Sequence, residues 1–154
     1  MATIICLLLC LSAFVPSSSC PDGWTPFRGS CYLFEHGGKL SFLEAELYCN
    51  QHGGHLVHID NQAESLFIKD HLTSSKAGRT WIGLTDDDVE GLWQWYGTDI
   101  SPSFTDWFPG DPNSKNGDED CVALKSEHHQ WYDAPCSTLK TPLCERTAYV
   151  DVIG

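Results

Sequence analysis

Six oxygen-bearing side chains, Asp111, Asn113, Asn116, Asp118, Glu119 and Asp120, fall within ten consecutive positions around Pro112 and Gly117, in the stretch DWFPGDPNSKNGDEDCVALKSEHHQWYD. Carboxylates held this close repel one another unless a cation compensates them. Oxygen donors in a flexible loop suit calcium over zinc or copper. The plain alternative is a solvated acidic loop. A second acidic run in LTDDDVEG, with Asp86 to Asp88 and Glu90, has the same two readings: cation ligands or an acidic turn. His52, His55 and His58 invite a zinc reading, but a spacing of three along an extended strand places side chains on alternate faces. His128 and His129 read as exposed loop residues close to the first acidic stretch. Hydrolysis needs a positioned acid, base or nucleophile in a cleft, and these acids are already explained as cation ligands. A binding protein is therefore expected, and not an enzyme.

The elements that must position these residues are short and loop-rich. The chain has 154 residues and 42% apolar content, enough for one globular domain with its own core. Thirteen Gly, eight Pro, six Trp and eight Cys against a single Met exclude a helical bundle or a disordered tail. Twenty-one acidic against nine basic residues give a formal charge of −12, which repels a phosphate backbone and argues against nucleic acid.

Met1 to Ser19 lacks any charged side chain, has an apolar run from Ile4 to Val15, and ends on Pro16 and three serines. It reads as a signal peptide (residues 1–19) cut before Cys20, and the mature protein is expected to be secreted. Cleavage removes Cys6 and Cys10 and leaves six cysteines. In a secreted domain this is a disulfide framework, with 15 possible pairings. A second apolar run of spanning length and an Asn-x-Ser/Thr sequon are both lacking.

CPDGWTPFRGSCYLF (20–34) reads as a stapled hairpin. Ser41 with Glu44, and Asn61 with Glu64, have capping-box spacing and open two helices, the first ended by Gly53 and Gly54. The short apolar stretch HLVHI lies between them. Beyond Gly78 the texture changes to strand-like runs, TWIGL, LWQWY, CVAL, HQWYD and PLCE, separated by turn residues. Trp93 and Trp95 read as core packing. Residues 147–154 read as a short peripheral tail.

Taken together, CPDGW, the helix ending in GGHL, WIGL, the Trp-to-Asp-Pro-Asn stretch, EDC, Trp-x-Asp and PLCE resemble the C-type lectin-like domain over residues 20–146. The resemblance implies an α+β fold with two helices, antiparallel sheets and a long calcium-binding loop region. It also implies three disulfides, Cys20 with Cys31, Cys49 with Cys144 and Cys121 with Cys136, the first marking the long form of the domain. Carried over by position, Asp111, Asn113, Glu119 and Asp133 would hold the principal calcium and the sugar. Asp86, Glu90 and Asp120 would hold an auxiliary calcium that stiffens the loops. The bond before Pro112 is expected to be cis.

This chain departs from the family at three places. Asp111 is one methylene shorter than the family's Glu, Tyr132 stands where the family places a ligating Asn, and Ser114 replaces a carboxylate. On this resemblance two sugar hydroxyls would replace waters on calcium, donate to Asp111 and Glu119, and accept from the Asn113 amide. The acid-Pro-amide order is the one the family associates with mannose, glucose, fucose and N-acetylglucosamine, and the reversed Gln-Pro-Asp order goes with galactose. The expected partners are therefore mannose-type glycans, including microbial surface polysaccharides met in innate immunity. A shallow polar site holds each sugar weakly, so avidity needs several sites and leaves room for a homo-oligomer. No collagen-like or coiled-coil segment enforces one. The competing class is a non-sugar role, in which the acidic face binds a protein partner or calcium carbonate.

Overall fold

Helix α1 (Phe42–Gln51) begins where Ser41 is extended and both its backbone N–H and its hydroxyl donate to Glu44 Oε2, at 2.9 and 2.7 Å. The carboxylate thereby satisfies a donor that the first turn leaves free. Helix α2 (Gln62–Ser74) opens in the same way, with Asn61 Oδ1 accepting from the Glu64 N–H at 3.0 Å. Glu64 in turn reaches back to the Asp60 N–H at 2.8 Å and accepts from the Tyr32 hydroxyl at 2.7 Å. One residue thus caps a helix and ties it to the sheet.

The computed structural model describes residues 18–34 and 38–150; the expected signal segment, with Cys6 and Cys10, lies outside the described residues apart from Ser18 and Ser19. The strands are β1 (Ser18–Ser19), β2 (Thr25–Phe27), β3 (Ser30–Phe34), β4 (His55–Leu56), β5 (Thr80–Thr85), β6 (Gln94–Trp95), β7 (Cys121–Leu124), β8 (Trp131–Ala134), β9 (Thr141–Thr147) and β10 (Tyr149–Val150). The main sheet runs β2-β3-β9-β5-β7-β8, with β4 added to β9 and β6 to β5, and β1 pairs with β10 apart from it. Antiparallel pairing was the expectation throughout; β5 and β9 instead run parallel, Thr80 opposite Thr141.

Both faces of this sheet are buried, so its central strands are continuously apolar. The strand period of two sends Trp81, Cys121, Ala123 and Cys144 toward α1, where they pack with Phe42, Ala45, Cys49 and Leu56. Ile82, Leu84, Val122, Leu124 and Leu143 point the other way, onto Ile68 and Leu72 of α2 and onto Trp95 and Trp131. Trp95 is core as expected, and Trp93 packs at its edge. Glycine is required at Gly83, where an added Cβ would lie 2.7 Å from the Leu56 carbonyl oxygen.

The three disulfides join Cys20 to Cys31, Cys49 to Cys144 and Cys121 to Cys136. Cys49–Cys144 binds α1 to β9 across 95 residues of sequence. A loop of that length contributes about 4–5 kcal/mol by restricting the unfolded chain. Among the described residues no helix is long and apolar enough to cross a membrane.

Two expectations about histidines are corrected. His55 and His58 were placed on opposite faces, but β4 ends at Leu56 and the two rings meet with centroids 4.2 Å apart. His58 also stacks on Trp95 at 4.8 Å, and burial, with His55 adding to it, drives its pKa down to about 3. It is a neutral, half-buried ring against the core. His129 is 4% exposed and not a surface residue, and burial lowers its pKa.

Candidate functional site

The long loop between β6 and β7 is held to the sheet by aromatic and backbone contacts. Trp107 packs on Trp131 at 5.7 Å and on Trp93 at 5.2 Å. Trp131 donates from its backbone to the Asp106 carbonyl at 2.9 Å, and Phe108 donates back to Trp131 at 2.8 Å. Asp106 is fixed further by an ion pair to Lys69 of α2. The loop therefore leaves the sheet at a fixed place just before Asp111.

From there the chain folds Asp111, Asn113, Glu119 and Asp133 onto one open pocket of about 460 Å³. The Asp111–Pro112 bond is cis, as the resemblance implied. The Asn113 amide donates to Asp111 Oδ1, and Asp133 Oδ2 accepts the backbone N–H groups of Asn113, at 2.9 Å, and of Ser114. The Lys115 N–H is shared between Asn113 Oδ1 at 2.9 Å and Glu119 Oε2 at 2.8 Å. Asp133 is 2% exposed, and its Oδ1 has no hydrogen-bond partner. A buried carboxylate oxygen left this way is a fit for a cation.

The same pocket also holds Arg79, Lys115, Lys125 and Lys140. Lys125 Nζ stands 3.3 Å from Asp111 Oδ2. Tyr132 sits at the centre of the basic residues, with Lys125 4.9 Å, Arg79 5.5 Å and Lys140 5.9 Å from its ring centroid. Burial pushes the Tyr132 hydroxyl up to about 12 and the Lys140 ammonium down to about 8, Arg79 adding to the latter.

The second acidic group is simpler. Asp86, Glu90 and Asp120 each offer a carboxylate oxygen, and these lie within 4.8 Å of one another; this is the one such trio among the described residues. Asp86 is 3% exposed; its Oδ2 accepts from the Gly91 N–H at 2.7 Å while Oδ1 has no hydrogen-bond partner. The Asp86 N–H donates to the Asp120 carbonyl at 3.1 Å, which pins the two loops together. Burial and the neighbouring carboxylates raise the pKa of both Asp86 and Asp120. Mutual repulsion with an orphaned buried oxygen fits a hard divalent ion such as calcium.

The structure thus brings together, in two groups, the seven residues that the family resemblance named as calcium ligands; Asp118, also in the acidic stretch, belongs to neither, and the Asn116 side chain lies outside the described part of the chain. Sequence reasoning missed Arg79, Lys125 and Lys140. Their signal was the strand register: Thr80 opposes both Leu124 and Thr141, so the residues flanking those positions form a row across three neighbouring strands.

The family model for the C-type lectin domain matches residues 38–146. The chain is 35% identical over 136 residues to the hepatic lectin of Gallus gallus, covering 88% of this chain and 63% of that one. Among solved structures, the carbohydrate-recognition domain of cow CD23, determined in the presence of a GlcNAc2Man3 oligosaccharide, is similar with a TM-score of 0.77. It is 30% identical and covers 86% of this chain and 99% of that one. A calcium-independent type II antifreeze protein is similar with a TM-score of 0.76 at 32% identity, covering 86% and 98%. The chain belongs to the C-type lectin domain family, and it spans less than two thirds of the length of the hepatic lectin it matches.

Proposed function

We propose that this chain is a secreted, calcium-dependent carbohydrate-binding protein, with no catalytic role, that recognises mannose-type glycans of the kind displayed on microbial surfaces. The observation that carries this reading is the convergence of Asp111, Asn113, Glu119 and Asp133 on one open pocket, with Asp133 Oδ1 buried and unsatisfied. Calcium supplies a hard Lewis-acidic centre with exchangeable positions for hydroxyl oxygens. Asp111, Asn113, Glu119 and Asp133 would hold it at the pocket, and Asp86, Glu90 and Asp120 would hold a second ion between the loops.

The protein's own groups set the orientation of a sugar. Asp111 and Glu119 accept hydrogen bonds from adjacent hydroxyls, and the Asn113 amide donates one, so a fixed order of donor and acceptor reads the geometry of the hydroxyl pair. The hydrogen bonds that the Asn113 and Ser114 backbone N–H groups donate to Asp133 Oδ2 hold that order in place. The test is retention on immobilised mannan in calcium, released by chelator and by free mannose. Retention that ignores both overturns the reading.

A non-sugar role has two observations in its favour: Lys125 already faces Asp111, and Tyr132 occupies a position the family gives to a ligating amide. The similarity to a calcium-independent antifreeze protein shows that this fold also serves without the ion. Adsorption to calcium carbonate without sugar competition would favour this second reading.

A further inference from the structure

Four of the nine Lys and Arg residues of a chain with net charge −12 line a single pocket, and they outnumber the three carboxylates there. Arg79 precedes Thr80, Lys140 precedes Thr141 and Lys125 follows Leu124, so the register sets these three across the ends of β5, β9 and β7. Lys140 is 4% exposed. Its ammonium lies over the Trp81 ring at 4.0 Å and donates to the Thr138 hydroxyl, but among the described residues it has no carboxylate within ion-pair distance. Arg79 is exposed, lies over the Tyr132 ring at 5.5 Å, and among the described residues has no carboxylate within ion-pair distance. The Glu119 carboxylate favours the Lys140 cation only from beyond ion-pair distance, and a buried cation paired so remotely is costly, ring faces compensating it only in part. The lining of the pocket is complete toward hydroxyl groups and incomplete toward an anion.

Resting on the carbohydrate reading above, we infer that the saccharide bound here carries an anionic group, a sulfate, carboxylate or phosphate, and that Arg79, Lys140 and Lys125 receive it. The guanidinium of Arg79 offers a planar fork of donors and the two ammonium groups offer point charges, which together suit a multi-oxygen anion. The overall negative charge of the protein repels a polyanion at a distance, so a preference for acidic glycans has to come from this local reversal of sign.

The experiment compares mannan with the same mannan after partial chemical sulfation, by titration calorimetry in calcium, using the full disulfide-bonded chain. The sulfated polymer is expected to bind about fivefold or more tightly per site, in line with added charge-assisted hydrogen bonds. Inorganic sulfate at millimolar concentration should compete against the sulfated polymer and leave neutral mannan bound. Arg79→Gln, at an exposed position, and Lys140→Met should each lower the sulfated-to-neutral ratio toward one. A purely structural role for Lys140 would lower the melting temperature and leave that ratio unmoved. Calcium-dependent binding of both polymers with equal affinity overturns this inference and leaves the carbohydrate reading standing. Binding of neither polymer overturns both.

Discussion

Asp86, Glu90 and Asp120 stand together with no cationic side chain among them, whereas Asp111, Glu119 and Asp133 share their pocket with four basic residues. The two groups use the same carboxylate chemistry in loops joined by the Asp86–Asp120 backbone bond. Their difference lies in who supplies the counter-charge. The trio can be neutralised only from outside, so it should take up a divalent ion with the larger gain. The pocket is partly neutralised by its own lysines, which weakens its demand for a metal and opens it to negatively charged ligands. Donor type alone therefore does not rank two oxygen-rich sites; the cations within reach do.

The most severe way to break this comparison is Asp86→Asn combined with Asp120→Asn. Calcium affinity measured by calorimetry should fall by at least about tenfold, as expected when ligands of a hard cation lose their charge. The part of the thermal stabilisation that calcium gives through this trio, about 2.7 kcal/mol at one hundred times its dissociation constant, should fall to about 1.4 kcal/mol or less at the same calcium concentration. An unchanged calcium-dependent melt would place the ion elsewhere. A somewhat smaller effect is expected from Asp111→Gln with Asn113→Asp, which reverses the order of acceptor and donor. On a glycan array the mannose-to-galactose ratio should change about tenfold in favour of galactose, and a constant ratio would remove Asp111 and Asn113 from sugar reading.

Lys125→Met sharpens the comparison from the other side. Releasing Asp111 from its ammonium should tighten calcium binding at the pocket by about two- to fivefold, the worth of a partly exposed ion pair. A weaker affinity in this variant would show that Lys125 supports the pocket instead of competing there. The smallest effect lies outside both clusters and separates core from loops. Burial raises the Glu64 carboxyl from 4.5 to about 6, so the folded protein binds this proton more tightly than the unfolded chain does. This contribution to stability is complete below pH 4.5 and is lost as the pH rises through about 6. Melting scans should rise by a few degrees from pH 7 to pH 5, and Glu64→Gln should flatten that slope with no change in calcium affinity.

Much of the frame was legible in the chain because its signals are local. Ser41 with Glu44 and Asn61 with Glu64 each fix a helix start within four residues, and TWIGL and CVAL are strands bounded by turn formers. LWQWY was less faithful: only Gln94 and Trp95 pair with β5. The two acidic runs stood out by their density of oxygen donors, but the disulfide pairing, the division of the acids between two sites and the place of Asp133 came from family resemblance, since spacing alone left the partners of each cysteine open. The row of Arg79, Lys125 and Lys140 was invisible because it depends on parallel pairing between strands some sixty residues apart in sequence. The His55–His58 contact escaped for a related reason: where a strand stops, here at Leu56, is set by tertiary packing and not by the residues themselves.

The first disulfide has an engineering consequence: Cys20 is bonded to Cys31, and Cys31 stands opposite Arg146 on β9. Residue 20 and the end of β9 therefore meet at one edge of the sheet, so a short peptide could join the two into a closed ring and new ends could be opened in a surface turn such as that around Gly97. A carrier fused near either position would leave the domain from one shared point. Several copies could then be arrayed on a particle in a common orientation, whichever end carries the attachment.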